Sequence, residues 1–176
     1  MNISTEERIK ALEVALTNES RERDFYLRHS ERTANPLGKE MFQSIARDEE
    51  EHYQKILELS KKLKKEGRWP ETLPLEVKGT EIRNVLRRVV ESVDTSARAD
   101  TDDMEAVKIA IDFEAKGEKF YGELRDGVND PVEKEFYDLL AMMEREHRLS
   151  LEDTYEYFKD PEAWYRLKER PHADGA

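Results

Sequence analysis

The sequence predicts an all-α protein, a four-helix bundle made of two repeated helix hairpins with a long crossover between them. Three observations predict it. Charged residues make up 40% of the 176 residues and apolar ones 37%, and the strong helix formers Glu, Lys, Leu, Ala and Arg are prominent. Apolar residues recur at i, i+3, i+4 over long stretches, the period of a helix with one buried stripe. That periodicity excludes disorder, the other reading of so much charge. Finally, the chain matches itself when shifted by 95 residues.

The first periodic stretch runs from about Ile9 to Arg32. Its apolar stripe is Leu12, Ala15, Leu16 and Tyr26, with Glu19, Glu22 and Arg23 near the same side. Residues 33–38, TANPLG, break the pattern. Asn35 before Pro36 starts the next helix, with Asn as cap and Pro in the first turn. That helix carries Met41, Phe42, Ile45, His52, Ile56, Leu57 and Leu59 and ends near Gly67. Residues 67–80, rich in Gly and Pro, read as an extended crossing segment, and 81–94 as a short amphipathic helix within the connection. A third long helix starts near Asp102 or Asp103 and ends near Gly127. Asp130-Pro131 opens a fourth that runs to about Phe158, and the tail from Asp160 has a short helical piece around Trp164. The expected organisation is one bundle over 1–160 (hairpin one 5–66, crossover 67–101, hairpin two 102–159) and a tail over 161–176.

The repeat needs no gap. Ala15 meets Ala110, Glu19 meets Glu114, Phe25-Tyr26 meets Phe120-Tyr121 and Pro36 meets Pro131. Lys39-Glu40 meets Lys134-Glu135, Ala46 meets Ala141, Glu49 meets Glu144, Glu51 meets Glu146 and His52 meets His147. Two copies of one hairpin joined by a long connection suit a four-helix bundle.

The repeat brings six side chains to one place. Glu19 and Glu49 lie equally far from Ala34, in the first turn, and Glu114 and Glu144 equally far from Asn129, in the second. In antiparallel helices of equal rise, each pair sits at one height, roughly 22 Å from its turn. His52 follows Glu49 by three residues and His147 follows Glu144 by three, so each Glu-x-x-His shares a helix face. One Glu from each of two helices plus Glu-x-x-His from each of the other two is the ligand set known from di-iron and di-manganese carboxylate bundles. Four ionised carboxylates in a core repel one another and lose hydration, at a cost of several kcal/mol per ion. Two divalent cations would neutralise them. Oxygen and nitrogen donors without thiolate suit iron or manganese, and zinc as a redox-silent alternative.

Other residues read more plainly. A lone Glu-x-x-His is ordinarily a solvated or structural pair, and only the full set in register changes that reading. Tyr26 and Tyr121, two turns beyond Glu19 and Glu114, are expected as core residues first and helpers of the site second. Glu22 and Glu118 are candidate extra or mobile ligands against a solvated-face alternative. Glu50, Glu51 and Glu146 are expected at the surface or behind the ligands, His29 and His172 exposed, and Trp69 and Trp164 packing crossover and tail.

The net charge of −11 argues against nucleic acid as a partner. The absence of cysteine excludes disulfides, thiolate zinc sites, iron–sulfur clusters and a rubredoxin-type iron site. No apolar run is long enough to span a bilayer, and MNISTEERIK lacks the apolar core of a signal peptide, so a cytoplasmic location is expected.

On Glu19, Glu49-Glu50-Glu51-His52, Glu114 and Glu144-Arg145-Glu146-His147, the chain resembles the rubrerythrin and ferritin-like di-iron carboxylate family over about residues 5–160. The ending WYRLKERPHADGA is similar to tails of single-domain rubrerythrin-like proteins. The resemblance implies Glu49 and Glu144 as bridging carboxylates, Glu19 and Glu114 as more terminal ligands, and His52 and His147 each on one metal. Two departures stand out. Rubrerythrins usually carry another Glu one turn after the third-helix ligand, where this chain has Gly117, which bears on redox-linked ligand exchange. They also usually carry a rubredoxin domain, whose cysteines are absent here.

The leading functional expectation is a peroxidase-type oxidoreductase. Two ferrous ions reduce hydrogen peroxide or dioxygen, each giving one electron, with an external redox protein as electron donor and a homodimer as the assembly. A second is ferroxidase activity for iron storage or detoxification, which usually needs a cage. A third is a non-catalytic metal-stabilised bundle.

Overall fold

A computed structural model describes residues 4–71, 82, 85 and 99–168. Four long helices, α1 (Thr5–Arg32), α2 (Pro36–Glu66), α3 (Thr101–Gly127) and α4 (Pro131–Lys159), are followed by a short α5 (Pro161–Lys168). The fold is the all-α bundle that the repeat predicts. Two helices start earlier than their apolar stripes suggest, and capping chemistry is the reason. Ser4 and Glu7 form a capping box at the start of α1, and Asp100 and Asp103 form one at α3. Gly38 N–H donates to Asn35 Oδ1 at 3.0 Å, which fixes the start of α2. The Asp130 carboxylate accepts from the backbone of Val132 and Glu133 and starts α4. Gly67 ends α2 at φ 71°, a left-handed conformation that glycine adopts without steric cost.

α1 packs along α2 and α3 along α4, and the hairpins meet through α1 with α3 and α2 with α4. Charge pairs tie the hairpins together at both ends. Arg8 Nε donates to both oxygens of the buried Glu133 at 2.9 and 3.0 Å. At the opposite end of α1, Arg32 donates to the buried Asp103 at 2.9 Å.

The core has two apolar clusters. One gathers Phe25, Tyr26, Met41, Phe42, Ile45, Ala106, Val107, Ala110 and Leu151; the other gathers Leu12, Ala15, Ile56, Leu59, Leu63, Tyr121, Phe136, Tyr137 and Leu140. Between them every long helix has a gap in its stripe. The gap holds Glu19 and Glu22 on α1, Glu49 and His52 on α2, Glu114 and Gly117 on α3, and Glu144 and His147 on α4.

The connection is described only in part. Ile82 and Val85 are helical and fully buried in the first cluster; the rest of the helix expected at 81–94, and 72–80 of the crossing segment, lie outside the described residues. So do His172 and the end of the tail. Trp69 packs on Phe136 and Tyr137, and the Trp164 indole donates to Asp153 at 2.8 Å. His29 corrects an expectation. It is half-buried against Phe25 and Phe42, because its helix turns that face toward the first cluster, and burial lowers its pKa. Among the described residues no helix is long and apolar enough to cross a membrane.

Phe136 is fully buried against Trp69 and Tyr137. Phe136→Ala is expected to destabilise the protein by about 3–5 kcal/mol, read from urea unfolding midpoints. A loss below about 1 kcal/mol would show that this cluster is not the packed core described.

Candidate metal centre

The gap between the clusters is filled by ionisable groups. Glu19, Glu49, His52, Glu114, Glu144 and His147 are each at most 2% exposed. The symmetric spacing about each turn sets their heights, and the i, i+3 spacing on α2 and α4 points each imidazole inward beside its carboxylate. The two imidazoles stack, with ring centroids 5.9 Å apart.

Both Nδ1 atoms face the carboxylates. His52 Nδ1 lies 3.2 Å from Glu19 Oε2, 3.2 Å from Glu49 Oε2 and 3.8 Å from Glu144 Oε1. His147 Nδ1 lies 3.1 Å from Glu49 Oε1 and 3.3 Å from Glu114 Oε2. Two donor groups result: Glu19, Glu49, His52 and Glu144, and Glu49, Glu114 and His147. Glu49 belongs to both and stands between the imidazoles; Glu144 belongs to one.

These donors fit bound cations better than they fit one another. Glu49 Oε1, Glu114 Oε2, both oxygens of Glu144 and His147 Nδ1 are buried without a hydrogen-bond partner. Leaving a buried polar group unsatisfied costs about 1–3 kcal/mol, more when it is charged, so the cluster calls for a ligand that accepts electron pairs from every side. A pair of divalent ions is such a ligand, and hard or borderline ions suit carboxylate and imidazole.

Electrostatics without metal show the same strain. Burial, with Glu49 nearby, pushes Glu19 up to about 8. Burial, with Glu49, Glu114 and Glu19, pushes Glu22 up to about 10. Burial and the same neighbours raise Glu144 well above the carboxylate range. Burial opposes charge on His52, but Glu19 and Glu49 hold it up to about 10. Burial would raise Glu49 too, but His147 and His52 outweigh it and hold it well below the usual carboxylate range. Protons must do the neutralising that metal ions would otherwise do.

The tyrosines are crossed between hairpins. Tyr26 OH, on α1, donates to Glu114 Oε1 on α3, and Tyr121 OH, on α3, donates to Glu19 Oε1 on α1. Burial, with the carboxylates close by, raises both phenols well above their ordinary pKa, so they remain donors. Thus both expected helpers touch the cluster.

The two candidate extra carboxylates part company. Glu22 is 5% exposed, inside the gap. Glu118 is half-buried and accepts from Arg148 Nε at 3.0 Å. Glu22 follows Glu19 by three residues, whereas Glu118 follows Glu114 by four, and the extra 100° of helical rotation carries it off the inward face. One group went unnoticed in the sequence. Asp48 Oδ2 lies 3.0 Å from His147 Nε2, behind the nitrogen that faces the cluster. Its signal was present: Asp48 precedes the first Glu-x-x-His motif, and no such acid precedes the second.

Four long helices that place buried carboxylates and imidazoles at their centre define the class of four-helix carboxylate bundles with a cluster able to hold metal. The rubrerythrin family matches residues 10–104, more than half of the chain. The chain belongs to the rubrerythrin family. The match includes Glu19, Glu49 and His52 and ends before Glu114; the second half of the cluster rests on the internal repeat and on geometry. A solved structure of a hypothetical protein from Pyrococcus furiosus shares the fold, with a TM-score of 0.62, 20% identity and coverage of 88% of this chain and 91% of that one. Comparison with curated proteins finds no match.

The pH dependence of the metal-free protein follows from the shifts. Glu19, Glu22 and His52 are raised on folding, so their contribution is full below their unfolded values and is lost as pH rises through about 8 and about 10. Glu49 is depressed, so its contribution is present above its ordinary value and is lost only in acid. Urea midpoints of metal-free protein are therefore expected to fall as pH rises from about 6 toward 10, and added divalent cation to offset the fall. A midpoint that rises over that window would contradict the buried-charge assignment.

Proposed function

We propose that the protein is a non-haem di-iron carboxylate oxidoreductase that reduces hydrogen peroxide or dioxygen with electrons from an external redox protein. The observation that carries the reading is the cluster of buried carboxylates and imidazoles between two apolar clusters, in which Glu49 Oε1, Glu114 Oε2, both oxygens of Glu144 and His147 Nδ1 have no hydrogen-bond partner. Membership of the rubrerythrin family supports iron as the metal.

In this reading Glu19, Glu49, His52 and Glu144 hold one ion, and Glu49, Glu114 and His147 hold the other. Bound ferrous ions supply one electron each, and Lewis acidity toward the oxygen–oxygen bond. The chain's own residues do the rest. Glu49 ties the two positions together, since its two oxygens face different imidazoles. Tyr121 and Tyr26 hold Glu19 and Glu114 in place by donating to the oxygen other than the one nearest an imidazole. Asp48 fixes the ring of His147 from behind. The apolar clusters above and below keep bulk water from the donors. In this reading an external redox protein supplies the electrons, and we expect a homodimer in the cytoplasm.

Metal-free protein loaded anaerobically with ferrous ion is expected to bind two per chain and to be oxidised rapidly by peroxide, each chain delivering two electrons, with the optical change of a ferric product. A loaded protein inert to both peroxide and dioxygen would overturn the enzyme reading. Size-exclusion chromatography separates the neighbouring reading: a dimer is expected, and a closed cage would point to iron storage. Elemental analysis of the purified protein that finds only zinc would point to a structural metal bundle.

A further inference from the structure

The two halves of the repeat agree at every direct donor, Glu19 with Glu114, Glu49 with Glu144 and His52 with His147, and at the tyrosines Tyr26 and Tyr121. They disagree at two places that touch the cluster. Shifted by 95, Glu22 meets Gly117, and Asp48 meets Met143. Each disagreement has a structural consequence for the cluster.

Gly117 is where Glu144 goes. A Cβ at this position would overlap Glu144 Oε2 and would stand 2.9 Å from its Cδ and 3.2 Å from its Cγ. The carboxylate of Glu144 therefore occupies space that a side chain would fill, and it sits on the His52 side, 3.8 Å from His52 Nδ1, with both oxygens unpartnered. On the other half, Glu22 fills the equivalent space. Glu49 cannot lean out as Glu144 does, and it stays between the two imidazoles.

Glu22 lies one turn past Glu19 and one turn before Tyr26 on the inward face of α1. Tyr26 donates to Glu114. Passing from Glu19 to Tyr26 along α1 is thus passing from the His52 end of the cluster toward Glu114, and Glu22 stands between them. Its side chain is 5% exposed. Arg21 Nη2, at 3.7 Å and beyond hydrogen-bond reach, is mostly exposed and does not bring it to the surface. Asp48 lies behind His147, while the buried Nε2 of His52 has no partner; the repeat position that would serve it is the buried Met143.

We propose that Glu22 is a further carboxylate ligand of one metal position only, that of Glu114 and His147. The proposal rests on the di-metal reading above. The oxygens of Glu22 lie outside both tight donor groups, so the side chain rotates to join them when an ion brings charge to the position. Asp48 serves the same position, because a carboxylate behind a ligating imidazole fixes the ring and raises its basicity. Where the third helix has Gly117, the repeat-related place on the first helix holds a carboxylate.

Calorimetric titration of metal-free protein with cobalt(II), followed also by its visible absorption, tests this without any turnover. Wild type is expected to take up two ions in resolved steps. His52→Ala leaves only the Glu114 position intact, and His147→Ala only the Glu19 position. Adding Glu22→Gln is expected to weaken binding about tenfold or more in the His52→Ala background and to leave it unchanged in the His147→Ala background. An equal loss in both, or no loss in the first, overturns the proposal. Should either histidine variant fail to fold by circular dichroism, the wild-type steps decide. There Glu22→Gln and Gly117→Ala, which displaces Glu144, are expected to weaken different steps; weakening of the same step by both, or of no step by Glu22→Gln, overturns the proposal. A wild type that binds fewer than two ions would instead sink the di-metal reading and would be seen before any Glu22 variant is made.

Discussion

Buried negative charge governs this molecule. Glu19, Glu49, Glu114 and Glu144 lie within reach of two imidazoles at the centre of a helical core, all nearly inaccessible to water. Ionised carboxylates pay several kcal/mol each for that environment, and only protons or cations return it. Much of the rest of the fold can be understood as holding the group together against its own repulsion. The apolar residues of each helix stop on one side of the cluster and resume on the other, so packing above and below fixes the helices without asking the charged layer to contribute. Arg8 with Glu133 and Arg32 with Asp103 close the two ends of the bundle by charge pairing far from the cluster, where it does not disturb the balance.

The fold was legible in the sequence because it is written twice. The shift of 95 residues exposed both turns, both Glu-x-x-His motifs and the symmetric glutamates, and equal helical rise about each turn did the rest. What sequence alone could not supply were interactions across the repeat. Asp48 reaches an imidazole of the other hairpin, and Tyr26 and Tyr121 bond carboxylates of the opposite hairpin; nothing local to Asp48 announces its partner. Glu22 and Glu118 looked equivalent as extra acids, yet a single residue of difference in spacing turned one inward and the other to Arg148. His29 departs from expectation for a similar reason: Phe25, four residues before it, shares its helix face, but the second ring against it, Phe42, comes from α2.

The crossed tyrosines also say why the chain needs both hairpins in one core. A single hairpin supplies two carboxylates and one imidazole, but the phenol that holds its Glu19 comes from α3, and the phenol that holds Glu114 comes from α1. Neither carboxylate has its intended orientation until the other hairpin arrives. Burying the two phenols at full depth is favourable for their rings and tolerable for their hydroxyls only because those carboxylates accept from them. Orientation of the cluster and association of the hairpins are therefore one event.

Internal duplication sets a limit that the molecule then escapes. Two equal hairpins around a pseudo-two-fold axis would give two equal metal positions, with Glu49 and Glu144 in equal roles. The observed cluster is unequal because side chains of the layer compete for volume. Where α3 has Gly117, Glu144 expands into the vacant space and turns toward His52; where α1 has Glu22, Glu49 is confined to the centre and faces both rings. The asymmetry needs no change of backbone, only the presence or absence of one side chain opposite each motif. Positions related by the repeat can in this way be assigned different tasks while the four helices, their caps and their packing stay alike.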